Sequence, residues 1–254
     1  MKKFLMFLLS ALSISICSKN IVFDLEGVLF IPDKEKIKKI IGENVDIAFV
    51  KRHLFSAQTN YTPYPEDTSI PYALEDGGRI PYLHYQHCIG SRTNDEILSA
   101  IFHAIKNYKT EDENLKSKMF LLAEAMYDPI VYTNTIEPLW PGIEILQKCL
   151  GHGHDIYILS NWAKESFDIM LKNFDWLSSK TKGMIISGYT NIIKPNQQIY
   201  QKLLQTYKLD PKETFFIDDR EQNTKAAEQA GITGIFYKNP EFAIEKLKKL
   251  KIIE

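Results

Sequence analysis

From Pro138 to the carboxyl terminus the chain alternates short apolar runs with amphipathic segments, and this rhythm limits the folds open to it. Trp140-Pro-Gly142 leads into IEILQKCL, an amphipathic helix closed by Gly151 and Gly153. DIYIL, from Asp155 to Leu159, reads as a buried strand running into Ser160-Asn161-Trp162. A helix is expected around Glu165 to Asn173, then a short strand from Met184 to Ser187. Asn196 is a good N-cap for the helix QQIYQKLLQTYKL. TFFI, Thr214 to Ile217, is a strand ending in Asp218-Asp219; NTKAAEQAG is a helix stopped by Gly231, and ITGIFY is a last strand. Strands separated by helices predict an α/β fold, a Rossmann-like parallel sheet flanked by helices. Ligands of such sheets bind beyond the carboxyl ends of the strands. Ser160 and Asp219 fall there, and Lys194 lies in the loop after the Met184–Ser187 strand.

A further strand opens the fold at NIVFDLEGVLF, where Ile21, Val22 and Phe23 run into Asp24 and Gly27 marks a turn. With the backbone extended past Asp24, the carboxylates of Asp24 and Glu26 project to one side. Two like charges about 4 Å apart repel by roughly 4 kcal/mol at an effective dielectric near 20. Such a pair persists where a cation bridges it or one member holds a proton for use. The plainer alternative points Glu26 into solvent.

Between the two parts lies an insert of different character. Helical patterns cover Lys34 to Ile41, Asp95 to Tyr108 and Glu111 to Met126. Asn60 to Cys88 is aromatic, proline-rich and without a period, which suits a lid or binding loop, or a structural loop whose tyrosines cover apolar surface. Its tyrosines, Arg79, His84 and His87 are candidate substrate contacts or plain packing residues. The division expected is a core of residues 19–31 and 138–254 and a mostly helical cap of residues 32–137, inserted after the first strand.

Residues 1–18, with Lys2-Lys3 before FLMFLLSALSISIC, have the form of an export signal, too short for a comfortable membrane span. The expectation is a periplasmic or secreted protein with no membrane span in its mature form, or a cytoplasmic one if the signal is not used. Ile16 is too large to precede a lipidated Cys17 comfortably. Three cysteines make no disulfide framework, and Cys88 and Cys149 are expected as buried free thiols. A formal net charge of -1 gives no footprint for nucleic acid.

Four motifs in order, FDLEGVL, LSN at Ser160-Asn161, IIKP at Lys194-Pro195 and FIDDREQN at Asp218-Asp219, resemble the haloacid dehalogenase superfamily of hydrolases. Within it, the chain is most similar to phosphatase-like members with a helical cap between the first and second motifs. The resemblance implies a Mg2+-dependent phosphatase for a small phosphorylated metabolite, with Asp24 as nucleophile. It places the ion on the Asp24 carboxylate, the main-chain carbonyl of Glu26 and Asp219, with Asp218 supplementary. Ser160 would bind the phosphoryl oxygens by its hydroxyl and Asn161 by its backbone N–H or side chain. Lys194 would neutralise developing charge and hold Asp24. Glu26 would be the general acid and base where most phosphatases of the superfamily carry Asp; the enolase-phosphatases resemble this chain in having DxEG. Dehalogenases carry Tyr there. The competing class is a catalytically weak relative that binds a ligand or partner through the insert.

Overall fold

The computed structural model describes residues 18–62 and 80–254, so all but the last residue of the proposed signal at residues 1–18, with Cys17, Arg79 and most of the aromatic stretch, lie outside the described residues. Five parallel strands form the main sheet in the order β5-β4-β1-β6-β7: β1 (Asn20–Phe23), β4 (Asp155–Ser160), β5 (Gly183–Ile186), β6 (Thr214–Asp218) and β7 (Thr233–Phe236). β1 is central, with Phe23 in register with Ile158 on one side and Ile217 on the other.

Strand side chains alternate between two buried faces, which is why these strands read as continuous apolar runs. Ile21, Phe23, Ile158 and Ile217 pack under α7 (Trp140–Gly151), α8 (Lys164–Asn173) and α13 (Pro240–Lys249). Val22, Leu159 and Phe216 pack under α11 (Gln197–Tyr207) and α12 (Glu221–Gln229). Asn196 caps α11 through Gln198 N–H, as expected. The short helices α9 (Trp176–Lys180) and α10 (Ser187–Thr190) flank β5.

After β1 the chain leaves the sheet. A two-stranded antiparallel ribbon, β2 (Phe30–Pro32) with β3 (Ile136–Pro138), ties the two ends of the excursion together. Between them run α1 (Lys34–Ile41), α2 (Ile47–Tyr61), α3 (Tyr82–Cys88), α4 (Asn94–Lys106), α5 (Glu113–Tyr127) and α6 (Pro129–Thr135). The inner faces of α1 to α5 share a separate core that includes Val50, Leu54, Ile97, Ile101, Met119 and Leu122. Caps set the boundaries: Asp33, Asp46, Asp112 and Asp128 accept from first-turn N–H groups, and Thr93 with Glu96 completes a capping box.

Three of these helices correct the sequence reading. α2 carries Gln58 and Ala57 on its buried face and Phe49 on its exposed one, which blurs the apolar stripe. α3 forms at the end of the stretch expected to be an irregular loop, starting directly after Pro81. α6 bears a recognisable signal, Asp128 as N-cap followed by Pro129 at the first helical position. Cys88 and Cys149 are both free and buried. Among the described residues, no helix is long and apolar enough to cross a membrane.

Candidate active site

The loop after β1 presents Asp24 at the carboxyl edge of the sheet. Its N–H continues the ladder to the Ile217 carbonyl at 2.9 Å. The chain then turns back on itself, with the N–H groups of Leu29 and Phe30 both reaching the Leu25 carbonyl at 2.8 Å. Gly27 sits in this turn at φ +83°, and a Cβ there would stand 2.3 Å from Asp219 Oδ2. A side chain at position 27 would therefore strain the turn and drive into Asp219.

Asp24 is 7% exposed, and Lys194 and Asp218 are fully buried. Lys194 Nζ lies 2.9 Å from Asp24 Oδ1 and 2.6 Å from Asp218 Oδ2. Leu25 N–H also donates to Asp24 Oδ1, at 2.7 Å. Both partners thus meet the same oxygen of Asp24 and leave Oδ2 clear of them. Asp218 is saturated: it also accepts from Arg220 N–H at 2.8 Å and from the Asn223 amide at 2.9 and 3.0 Å. Asp219 differs, for its buried Oδ1 has no hydrogen-bond partner.

Carboxylate oxygens of Asp24, Asp218 and Asp219 gather within 4.8 Å of one another. Burial pushes Asp218 up to about 6 against the pull of Lys194. Burial and the charges of Asp24 and Asp218 push Asp219 up to about 7. Burial works against the Lys194 ammonium, yet Asp218 and Asp24 outweigh it and hold its pKa above the ordinary value. Three carboxylates facing one ammonium leave two negative charges, the charge of one divalent cation.

Asn161, at the end of β4, clamps the Lys194 backbone from both sides. Its Oδ1 accepts from Lys194 N–H at 2.8 Å and its Nδ2 donates to the Lys194 carbonyl at 3.1 Å. The Asn161 side chain thus fixes the lysine backbone, a role additional to the phosphate contact expected through its backbone N–H or side chain. Ser160 is 1% exposed and its hydroxyl has no partner, although it lines the cavity beside Asp24.

The proposed pairing of Asp24 with Glu26 is also corrected. The carboxyl groups beside Asp24 come from Asp218 and Asp219, and the Glu26 side chain is outside that cluster. Glu26 is exposed and accepts a 2.6 Å hydrogen bond from the Tyr132 hydroxyl of α6. Burial first, and then Glu26, raises the Tyr132 pKa well above its ordinary value, so the phenol keeps its proton and acts as donor. Tyr132 packs edge-on to Trp162, which follows the LSN motif. The sequence reading missed it. The capped start of α6 would have placed it on a helix, but nothing in the local pattern links that helix to Glu26.

Asp24, Glu26, Ser160, Asn161, Lys194 and Asp219 all open on one cavity of about 690 Å3 between sheet and cap, and Asp218 lies behind them. Carboxylates at the strand ends of a parallel α/β sheet, roofed by a helical insert, stand where ligands of such sheets bind. The chain belongs to the haloacid dehalogenase-like hydrolases, whose family model matches residues 19–231.

Curated relatives match over short segments. Bifunctional epoxide hydrolase 2 of Rattus norvegicus is 33% identical over 95 residues, which is 37% of this chain and 17% of that protein. The sesquiterpene phosphatase of Aspergillus oryzae is 25% identical over 92 residues, 36% of this chain and 46% of that one. The solved structure of a family enzyme from Bacteroides thetaiotaomicron, in complex with magnesium and inorganic phosphate, shares the fold at TM-score 0.55. It is 22% identical, over 86% of this chain and 93% of that one. L-2-haloacid dehalogenase from Xanthobacter autotrophicus shares it at TM-score 0.51 and 17% identity, over 85% and 76% of the two chains.

Proposed function

We propose that the protein is a Mg2+-dependent phosphatase that hydrolyses a small phosphate monoester through an aspartyl-phosphate on Asp24. The observation that carries this reading is the set of groups lining one cavity: Asp24 held by Lys194, Asp219 with an unpartnered Oδ1 and Ser160 with an unpartnered hydroxyl. Two orphaned polar atoms in a buried site call for a ligand that satisfies both. A phosphate meeting a divalent cation does so. A phosphatase among the relatives, and magnesium with phosphate in a structural neighbour, support the same reading.

The residues present fit Mg2+, a hard cation that takes oxygen ligands from one or two carboxylates and a substrate phosphate. Asp24 and Asp219 would hold it with the Glu26 carbonyl, Asp218 standing behind as the anchor of Lys194. When bound it screens the charge that gathers as a carboxylate approaches a phosphate dianion.

Asp24 Oδ2, clear of Lys194 and Leu25 N–H, is the attacking atom. It forms the new bond to phosphorus while the bond to the ester oxygen breaks. Lys194, the Ser160 hydroxyl and the Asn161 backbone N–H meet the equatorial oxygens, placed before the reaction by the clamp and by burial. Glu26 gives its proton to the leaving oxygen. It then takes one from the water that attacks phosphorus, so that the bond to Asp24 breaks and phosphate leaves. Tyr132 fixes the Glu26 carboxyl for both transfers.

The test is phosphate release by purified protein from a panel of monoesters, with and without Mg2+, beside Asp24→Asn. The expected result is Mg2+-dependent release that falls by about four to six orders of magnitude in the variant. Equal turnover by the two proteins would end the nucleophile assignment. No release from any ester, despite tight Mg2+ binding, would favour a binding protein instead.

A further inference from the structure

The same cavity extends under the cap. There the walls are the half-buried side chains of Ile37 and Val45 near α1, Ile47 and Phe55 on α2, and Met126 on α5, with Leu122 beneath them. Ile37, Val45, Ile47 and Met126 pack on the cap's core from behind and turn their remaining surface into the chamber.

His84 is spent: its Nδ1 lies 3.0 Å from the Tyr127 hydroxyl and its Nε2 lies 3.6 Å from Cys88 Sγ. His87 is 8% exposed, and its Nδ1 is unpartnered. Burial pushes His87 down to about 4 and His84 well below its ordinary value, so both rings are uncharged near neutrality. Lys34, Lys38 and Lys51 also line the cavity; Lys38 pairs with Glu35 at 2.8 Å and Lys51 rides over the Phe55 ring at 5.4 Å. A volume of about 690 Å3 is in the ~300–1,000 Å3 range of small-molecule sites. It far exceeds what a bare phosphate needs.

We infer that the monoester this site takes carries an apolar leaving group, housed in the chamber lined by Ile37, Val45, Ile47, Phe55, Leu122 and Met126. The inference rests on the phosphatase reading and adds the substrate class to it. A polyhydroxylated leaving group would strip its hydroxyls of water against these aliphatic walls. An alkyl or alkenyl chain loses nothing there and gains with each methylene removed from water.

The experiment is kcat/KM for phosphate release across methyl, butyl, hexyl and octyl phosphate, with a hexose phosphate as the polar comparison. The expected result is a rise of about four-fold per methylene until the chamber is filled, and the hexose ester below butyl phosphate. Calorimetric binding of octylphosphonate to the Asp24→Asn protein should exceed that of methylphosphonate in the same proportion, with a more negative heat capacity change. Phe55→Gln and Met126→Gln, on separate helices, should each lower the octyl-to-methyl ratio by roughly ten-fold, the loss of one to two methylenes' worth of contact. Turnover that is flat across the series, or best with the hexose ester, overturns the apolar chamber and leaves the phosphatase standing. A ratio unchanged in both variants does the same. Release from none of the esters overturns the phosphatase reading itself.

Discussion

The sheet and the cap are both well packed, yet they carry function by different means. In the sheet, Asp24, Ser160 and Asp218-Asp219 follow the ends of β1, β4 and β6, so the backbone ladder delivers their side chains to one edge. Their identities are set by charge and hydrogen bonding. The cap offers surface: helices α1 to α5 around a core of their own, with a half-buried apolar face over the site, and Tyr132 of α6 reaching Glu26. On the proposed reading, chemistry sits where the backbone is most constrained, and selection where side chains can be exchanged.

Lys194→Ala should break the sheet side most severely. It leaves buried carboxylates without their cation, a change that costs about 3–5 kcal/mol, and denaturant unfolding in the absence of Mg2+ would read it. Phosphate release should disappear with it. Leu54→Ala in the cap core should cost about 2–5 kcal/mol with phosphate release from a small ester kept within roughly ten-fold. A matching loss of catalysis would mean that the two regions are not separable.

A subtler contrast comes from pH. Asp218 and Asp219 have folded values of about 6 and 7 against an ordinary 3.8. Between those limits the folded state holds more protons than the unfolded one. The stability of metal-free protein should therefore fall as pH rises from about 4 to about 7. The raised Lys194 value acts in the alkaline range, outside this window. Thermal melts with and without Mg2+ should accordingly diverge as pH rises, by roughly 2–4 °C for each kcal/mol of linkage. A constant gap would mean that the acid cluster does not hold the ion. Smallest of all, Tyr132→Phe should slow turnover about ten-fold, the worth of one hydrogen bond to a charged group, while leaving phosphate-analogue binding in place. Equal loss of both would make Tyr132 a packing residue.

The same contrast explains what could be read in advance. Strand-end residues announce themselves, because a short apolar run must stop and the next side chain falls at the sheet edge; Asp24, Ser160 and Asp219 were found that way. The roles within the cluster were less visible, since Asp218 and Asp219 differ only in which neighbours reach them: Lys194, Asn223 and Arg220 N–H for the first, and for Asp219 Oδ1 no partner. The Asn161 amide binding the Lys194 backbone depends on a contact across 33 positions of sequence. The Tyr132–Glu26 bond spans 106. No local pattern encodes such distances. In the cap, α2 hid because its buried face includes Gln58, whose amide reaches the Tyr127 hydroxyl, a partner available only after folding.

The central claim is that Asp24 accepts the phosphoryl group, and acid-quenched turnover followed by peptide mass spectrometry tests it most directly. With Mg2+ and an ester that is cleaved, a phosphoryl adduct labile to hydroxylamine should appear on the peptide containing Asp24 and be absent from Asp24→Asn. Steady turnover with the adduct on another residue, or with Asp24→Asn as active as the parent, would contradict the account.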